Sequence, residues 1–181
     1  MATPAQRMEA DRHKFPGMAP REVIIFRAWL AMHQKEYDRF DYNVRVGNGT
    51  DPGEQYPAIY RQQYIENTQK RIDGVGWKAG ITVTDSTLYN ARSIFEIARS
   101  GAQPTIIEVK DRATGSCMSQ ILTYKALWPL TFPNTPAPKL LLVTNRVAAD
   151  MPLVLDATGI TLEIVPADFS SLSTVYKPPA R

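Results

Sequence analysis

The chain has 181 residues, 44% of them hydrophobic, which fits one domain with a single core. Its formal net charge is +3 and its pI is near 9.0, values that permit nucleic-acid binding without requiring it, because non-specific DNA binders are often more basic. A single cysteine, Cys117, excludes an intramolecular disulfide framework and suits a reducing compartment.

The N-terminal half predicts an extended arm followed by a helix and irregular connections. The arm is rich in proline and charge, and the helix follows from apolar residues at helical spacing with Pro20 at its start. In chain order we expect an arm over 1–20, a helix from Arg21 to about Arg39, a short strand from Tyr42 to Val46, a loop over 50–58, and either a helix or an edge strand from Tyr60 to Asn67.

Residues 70–84 predict a strand or a strand pair, in which Gly74 and Gly76 permit close backbone approach. Residues 85–101 predict a helix that Gly101 ends. We expect this inserted helix to pack on a partner or on the rim of a substrate groove. Its predicted N-cap is Asp85 or Ser86, and its predicted apolar face consists of Leu88, Ala91, Phe95 and Ala98.

The remaining elements predict an α/β fold, a mixed central sheet flanked by helices. The evidence is an alternation of short apolar runs with helical patterns, separated by turns and prolines. These elements are a strand over Thr105–Lys110, a helix over about Ser116–Leu127, a proline-rich loop (Pro129, Pro133, Pro136, Pro138), a strand over Lys139–Thr144, a helix near Ala148–Ala157 and a strand over Ile160–Val165.

The strand over Thr105–Lys110 is unusual because it places a carboxylate beside an ammonium group. Side chains alternate across a strand, so Glu108 and Lys110 share one face while Ile107 and Val109 occupy the other. A carboxylate that holds a hard cation, beside a lysine that steers a water molecule, is the minimum equipment for metal-assisted hydrolysis. Asp73, on a neighbouring predicted strand, supplies a second carboxylate, and the Val109 carbonyl a third oxygen ligand.

With these residues the chain resembles the PD-(D/E)XK nuclease superfamily, and within it the RecB-like and small phage-encoded nucleases. The resemblance covers roughly residues 21–166 and implies a restriction-endonuclease-like core with a helical insertion at about 80–104. The sequence departs from the family pattern at Ile72, where the family name has proline, and in the 34 residues between Asp73 and Glu108, where a short hairpin is usual. The residues that carry the resemblance are Arg71–Trp77, Ile107–Lys110, and Gln120 with Tyr124.

The resemblance implies a catalytic centre that binds Mg²⁺ or Mn²⁺. Gln120 and Tyr124, one helical turn apart, would help to fix the metal site and the nucleic-acid backbone. Glu22 matches a glutamate that many members place beside the metal, with His33 and Glu36 as competitors on the same helix. The implied catalytic residues are Asp73, Glu108, Lys110, Gln120 and Tyr124, the metal ligands are Asp73, Glu108, Val109 and Glu22, and the phosphate-contacting residues are Arg71, Trp77, Lys78, Arg112 and Lys125.

Each of these residues also has a structural interpretation. Glu108 and Lys110 fit a solvated ion pair on an edge strand, and Asp73 fits a turn residue before Gly74. Tyr124 fits a half-buried helix residue, and Glu22 fits favourable placement at a helix N-terminus. The tertiary structure has to decide between the two interpretations.

The sequence therefore supports two functional hypotheses. The first is a phage-encoded, metal-dependent deoxyribonuclease that hydrolyses DNA phosphodiester bonds in the host cytoplasm. The second is a structural or assembly protein of a phage particle, at the head-to-tail joint, that retains the nuclease fold and binds other phage proteins or further copies of itself. The expected domains are an arm (1–20), the nuclease-like domain (21–166) and a C-terminal tail (167–181), with no membrane span, because no apolar run approaches about 18 residues.

Overall fold

A computed structural model describes residue 15 and residues 17–78 and 91–173. Helices and strands alternate along the chain from the first helix onward. They are α1 (Pro20–His33), a single 3-10 turn (Gln34–Glu36), β1 (Arg39–Val46), α2 (Ala58–Thr68), β2 (Lys70–Lys78), α3 (Ala91–Arg99), β3 (Gln103–Ala113), α4 (Gly115–Thr131), β4 (Lys139–Val147), α5 (Met151–Ala157), β5 (Ile160–Ile164) and α6 (Ser170–Ser173).

The five strands form one mixed sheet in the order β1-β2-β3-β4-β5. β1, β2 and β3 pair antiparallel, whereas β3, β4 and β5 pair parallel. The parallel connections pass through α4 and α5, as parallel strands require crossovers of helical length. The sheet confirms the predicted α/β class with helices flanking a mixed sheet.

Helices cover both faces of the sheet, and the alternation of β3 assigns its side chains to two cores. Ile107 and Val109 pack with α1, where Phe26 and Trp29 are fully buried. Ile106 packs in the opposite core together with residues of α3, α4 and α5. Glu108 follows the alternation of Ile106 and therefore faces α4.

Gly74 lets α1 approach the sheet closely, as the sequence predicts. A Cβ atom at this position would lie 2.8 Å from Cζ of Phe26, which is fully buried. The ring of Phe26 is held by neighbouring aromatic rings, with centroids 5.9 Å from Trp29 and 5.8 Å from Tyr42. A side chain at residue 74 would therefore push α1 away from the strand that carries Asp73.

Several predicted boundaries are wrong, for local reasons. α1 ends at His33 instead of about Arg39, because the chain forms a 3-10 turn and then enters β1. The region 70–84 contains one described strand that ends at Lys78, and 79–84 lie outside the described residues. Pro129 lies inside α4 and not in the following loop, since α4 extends to Thr131. The ambiguous segment Tyr60–Asn67 is helical and belongs to α2.

The inserted helix packs inside the domain, contrary to the expectation that it contacts a partner or a groove rim. Ile94, Ile97 and Ala98 of α3 are buried in the core shared with α4. Phe95, predicted on the buried face, is exposed and its ring lies 5.2 Å from that of Phe132. The predicted caps Asp85 and Ser86, and Leu88, lie outside the described residues.

The described ends of the chain also contact the core. Phe15, in the predicted arm, is buried between Phe26 and Tyr42. Phe169, in the predicted tail, packs against the same core and lies under the guanidinium of Arg21 at 4.8 Å. Within the described ranges, no helix has the length and hydropathy needed to cross a bilayer.

Candidate hydrolytic site

The site begins where β2 and β3 separate. Their pairing runs to Gly74 opposite Ile107, one residue short of Asp73 and Glu108. Beyond that point the Asp73 carboxylate accepts a hydrogen bond of 2.9 Å from the backbone N–H of Val109. The Asp73 side chain thus takes the place of a backbone hydrogen bond between β2 and β3. The interpretation of Asp73 as a turn residue does not account for this contact.

Lys110 lies among three carboxylates. Its Nζ atom is 2.8 Å from Oε1 of Glu108, 3.2 Å from Oε1 of Glu22 and 3.9 Å from Oδ2 of Asp73. Burial lowers the pKa of Lys110, but the charges of Asp73, Glu108 and Glu22 outweigh burial and raise it. The structure thus brings together four of the predicted residues, with the Lys110 ammonium group among the carboxylates of Asp73, Glu108 and Glu22.

Glu108 is the most buried acidic group of the site, with 1% of its surface exposed. Burial and the nearby charge of Asp73 raise its pKa to about 8, against the opposing effect of Lys110. Neither carboxylate oxygen receives an aligned hydrogen bond from the described residues, although Lys110 lies close to Oε1. A buried carboxyl group that meets a single ammonium group is costly unless a further ligand, a cation or a proton, satisfies its remaining lone pairs.

Asp73 shares this environment. Burial raises its pKa to about 6, while Lys110 and the Val109 N–H favour the charged form. The site therefore holds two carboxyl groups that are both more difficult to ionise than usual. Because Glu108 is buried and β3 is the central strand of the sheet, the interpretation of Glu108 and Lys110 as a solvated pair on an edge strand is wrong.

Tyr124 reaches the same centre from α4. Its side chain is buried, and burial together with the charges of Glu108 and Asp73 raises the pKa of its phenol. Gln120, one turn earlier on α4, is exposed, and no hydrogen bond within the described ranges connects it to the carboxylates. The structure brings Tyr124 to the site and leaves Gln120 exposed on α4.

Glu22 joins the site from the first turn of α1. Its Oε2 atom accepts a hydrogen bond of 2.9 Å from the Ala19 N–H, as expected at a helix N-terminus, and Oε1 faces Lys110. Its two competitors lie elsewhere: Nδ1 of His33 is 2.8 Å from Oε1 of Glu36, and Nε2 of His33 is 3.2 Å from Glu163. Glu22 is the acidic residue of α1 that approaches the centre.

Exposed basic residues lie close in sequence to the residues of the centre. Arg71 is exposed two residues before Asp73, Lys125 is exposed beside Tyr124, and Arg112 is exposed two residues after Lys110. Sequence reasoning missed Arg146, which pairs in register with Arg112, and Arg21. Both guanidinium groups bind Oδ2 of Asp111, at 2.7 Å for Arg146 and 3.0 Å for Arg21.

A signal for Arg146 was present in the sequence. Arg146 follows the apolar residues of β4, just as Arg112 follows the apolar residues of β3. Because the carboxyl ends of parallel strands meet at one edge of a sheet, the two arginines come together there. Together with Asn145, Arg112 and Arg146 line a surface cavity of about 390 Å³.

Two residues predicted to contact phosphate lie elsewhere. Trp77 is fully buried, and its indole N–H donates a 2.8 Å hydrogen bond to Asp41. Lys78 is exposed at the far end of β2, about 16 Å along the strand from Asp73. It lines a separate cavity of about 190 Å³ with Tyr37 and Lys139. Closeness to Asp73 in sequence did not predict closeness in space, because the extended strand β2 carries Trp77 and Lys78 away from the site.

The protein side chains by themselves do not make a complete metal centre. Across the described ranges, no group of three or more His, Cys, Asp or Glu side chains is arranged to hold a metal ion. The available oxygen ligands are the carboxylates of Asp73, Glu108 and Glu22, with Lys110 among them.

Comparisons of the chain with protein-family models, with curated proteins and with solved structures found no match.

Proposed function

We propose that the protein is a metal-dependent deoxyribonuclease of the PD-(D/E)XK type. The single observation that carries the proposal is the contact of Lys110 with Glu108, Asp73 and Glu22 at the point where β2 and β3 separate. A helix (α1), three antiparallel strands (β1, β2 and β3), a helix (α4) and a parallel strand (β4) follow in that order, with α2 and α3 inserted between the antiparallel strands, and this order supports the restriction-endonuclease-like core that the resemblance implies.

The ligand set fits Mg²⁺ or Mn²⁺. Mg²⁺ takes one or two carboxylates and completes its coordination with water and substrate phosphate, so it does not need a protein-only centre. The two Glu108 oxygens without aligned donors, and the Asp73 carboxylate, are the groups that would hold the ion, with Glu22 and the Val109 carbonyl as further oxygen ligands. When bound, the ion supplies Lewis-acid polarisation of the phosphate and a more acidic water molecule.

The chain's own residues have distinct tasks in this proposal. Lys110 orients the attacking water and offsets the negative charge that develops on the phosphate oxygens. Asp73 is held by the Val109 N–H, which keeps its carboxylate directed at the centre. Tyr124 closes the α4 side, and Arg71, Arg112 and Lys125 neutralise backbone phosphates.

The test is a titration of MgCl₂ and MnCl₂ with plasmid and linear DNA. Wild-type protein should cleave, and Asp73→Asn, Glu108→Gln and Lys110→Met should each lose about 100-fold or more of the rate, as expected when a group that stabilises the transition state is removed. Asp156→Asn is the matched control, since it removes an exposed carboxylate at the end of α5, just before β5 begins at the opposite edge of the sheet from the site. Cleavage by Glu108→Gln at the wild-type rate would reject the proposal.

A further inference from the structure

Helix α2 has an unusual surface. None of its residues is buried, and polar contacts hold its two ends. Arg61 binds both carboxylate oxygens of Asp51 near the start, while the side chain of Thr68 accepts a 2.6 Å hydrogen bond from the Thr50 N–H at the end. The helix is thus fixed to the domain and presents its side chains to solvent.

The exposed surface of α2 is aromatic. Tyr60 is 62% exposed and Tyr64 is 51% exposed, one helical turn apart and therefore on one side. Tyr56, four residues before Tyr60 and just ahead of the helix, is 51% exposed. We call these three residues the tyrosine row. Large aromatic side chains rarely stay exposed together without a binding role.

The tyrosine row lies at the same edge of the sheet as the candidate site. α2 connects the end of β1 to the start of β2, and β3 ends at that edge because it runs parallel to β1. Asp73 is the fourth residue of β2, about 17 Å along the strand from the end of α2. A nucleic-acid strand bound to the tyrosine row needs only a few nucleotides to reach the carboxylates of the candidate site.

Charge favours a polyanion at this edge. Lys70 and Arg71, which directly follow α2, are exposed and form no ion pair with any residue in the described ranges. Two acidic residues beside the row are paired, Asp51 with Arg61 and Glu66 with Arg45, while Glu54 is exposed just before Tyr56. Counting Arg45, Arg61, Lys70 and Arg71 against Asp51, Glu54 and Glu66, the described charges around the row leave a net positive charge.

We propose that the tyrosine row is a stacking platform for single-stranded nucleic acid that leads to the hydrolytic site. Residues four apart on a helix are separated by a rise of about 6 Å. Bases in one strand of a duplex lie about 3.4 Å apart and are stacked on each other. The spacing of Tyr60 and Tyr64 therefore suits unstacked bases of an extended strand, each of which can lie on one phenol ring. This inference rests on the proposed function and names the form of its substrate.

The experiment measures binding without cleavage, so that it is separate from the nuclease test. Fluorescence anisotropy of labelled single-stranded and duplex oligonucleotides is recorded in EDTA with the full chain. Wild-type protein should bind the single strand more tightly than the duplex. Tyr60→Ala and Tyr64→Ala should each weaken single-strand binding about five-fold or more, and the double variant about 25-fold or more.

The controls separate stacking from general apolar contact. Tyr60→Phe/Tyr64→Phe keeps both rings and should bind within two-fold of wild type. Ile59→Ala removes an exposed apolar side chain of the same helix and should also leave affinity unchanged. Asp73→Asn should lose cleavage and keep this binding, so a failure of the platform and a failure of the nuclease proposal give different results.

Three outcomes would overturn the inference. One is wild-type affinity in the double alanine variant, and another is equal loss in the phenylalanine and alanine variants. The third is a wild-type protein that binds no oligonucleotide but self-associates in gel filtration, with the self-association abolished in the double alanine variant. That result would assign the tyrosine row to a protein interface.

Discussion

The Asp73 carboxylate and the Val109 N–H are joined by a 2.9 Å hydrogen bond across 36 positions of chain. This bond takes the place of the strand pairing that ends one residue earlier, at Gly74 and Ile107. It directs Asp73 toward Lys110 and Glu108, so the long insertion between the two acidic residues leaves the centre assembled.

In the metal-free protein, stability should fall as the pH rises. Burial raises the pKa of Glu108 to about 8 and that of Asp73 to about 6, above their ordinary values of 4.5 and 3.8. The folded state therefore binds more protons than the unfolded state between about pH 4.5 and 8, and the free energy of unfolding decreases across that range. Urea denaturation in EDTA should show a loss on the order of 1–3 kcal/mol between pH 5.5 and 8.5.

Glu108→Gln provides the control for that pH dependence. It removes the group with the higher pKa and should flatten the curve most strongly above pH 6, where Asp73 is largely ionised. Asp156→Asn, the control with an exposed carboxylate removed, should reproduce the wild-type curve. A wild-type slope in Glu108→Gln would mean that another group controls stability in this range.

Mg²⁺ should stabilise the protein, and more so at alkaline pH. The ion requires ionised carboxylates, so it competes with the proton that Glu108 retains below about pH 8. Thermal unfolding with 10 mM MgCl₂ should show a larger rise in Tm at pH 8.5 than at pH 6, since ligand binding to the folded state adds to stability. Asp73→Asn should lose most of this rise, and an undiminished rise would place the ion elsewhere.

Gly74→Ala should destabilise the protein by about 1–3 kcal/mol, a typical cost of overpacking a core. The new methyl group would lie 2.8 Å from Cζ of Phe26, whose ring is fully buried and held by its neighbours. Gly115→Ala is the control, because a Cβ there meets no atom within 4 Å. Equal unfolding free energies for the two variants would contradict the close contact of α1 and β2.

Trp77→Phe should lower stability and leave DNA affinity unchanged. The substitution removes the indole N–H that donates to the buried carboxylate of Asp41, and loss of such a bond costs about 1–3 kcal/mol. Arg112→Ala is the contrasting variant: as an exposed residue beside the site, it should weaken DNA binding with little change in stability. If Trp77→Phe left stability unchanged and weakened DNA binding, Trp77 would be a DNA-contacting residue, as the sequence predicts.

The sequence by itself determined the α/β class, most elements and the chemical core of the candidate site. Strand alternation fixed Glu108 and Lys110 on one face of β3 opposite Ile107 and Val109, and helical spacing placed Tyr124 on α4, because these periodicities are local properties of the backbone. Glu22 was implied only by the family resemblance, since its position in the first turn of a helix supported the structural interpretation.

Only the tertiary structure decided which charged and aromatic residues are near the centre. Arg21 and Arg146 come from distant parts of the chain and both bind Asp111. Trp77 and Lys78 are close to Asp73 in sequence, but Trp77 is buried and Lys78 lies at the far end of β2. The inserted helix likewise buries Ile94 and Ile97 together with Ala98 of the predicted face, and leaves Phe95 exposed. Such outcomes depend on strand register and helix rotation, which packing of the whole domain fixes and no short stretch of sequence encodes.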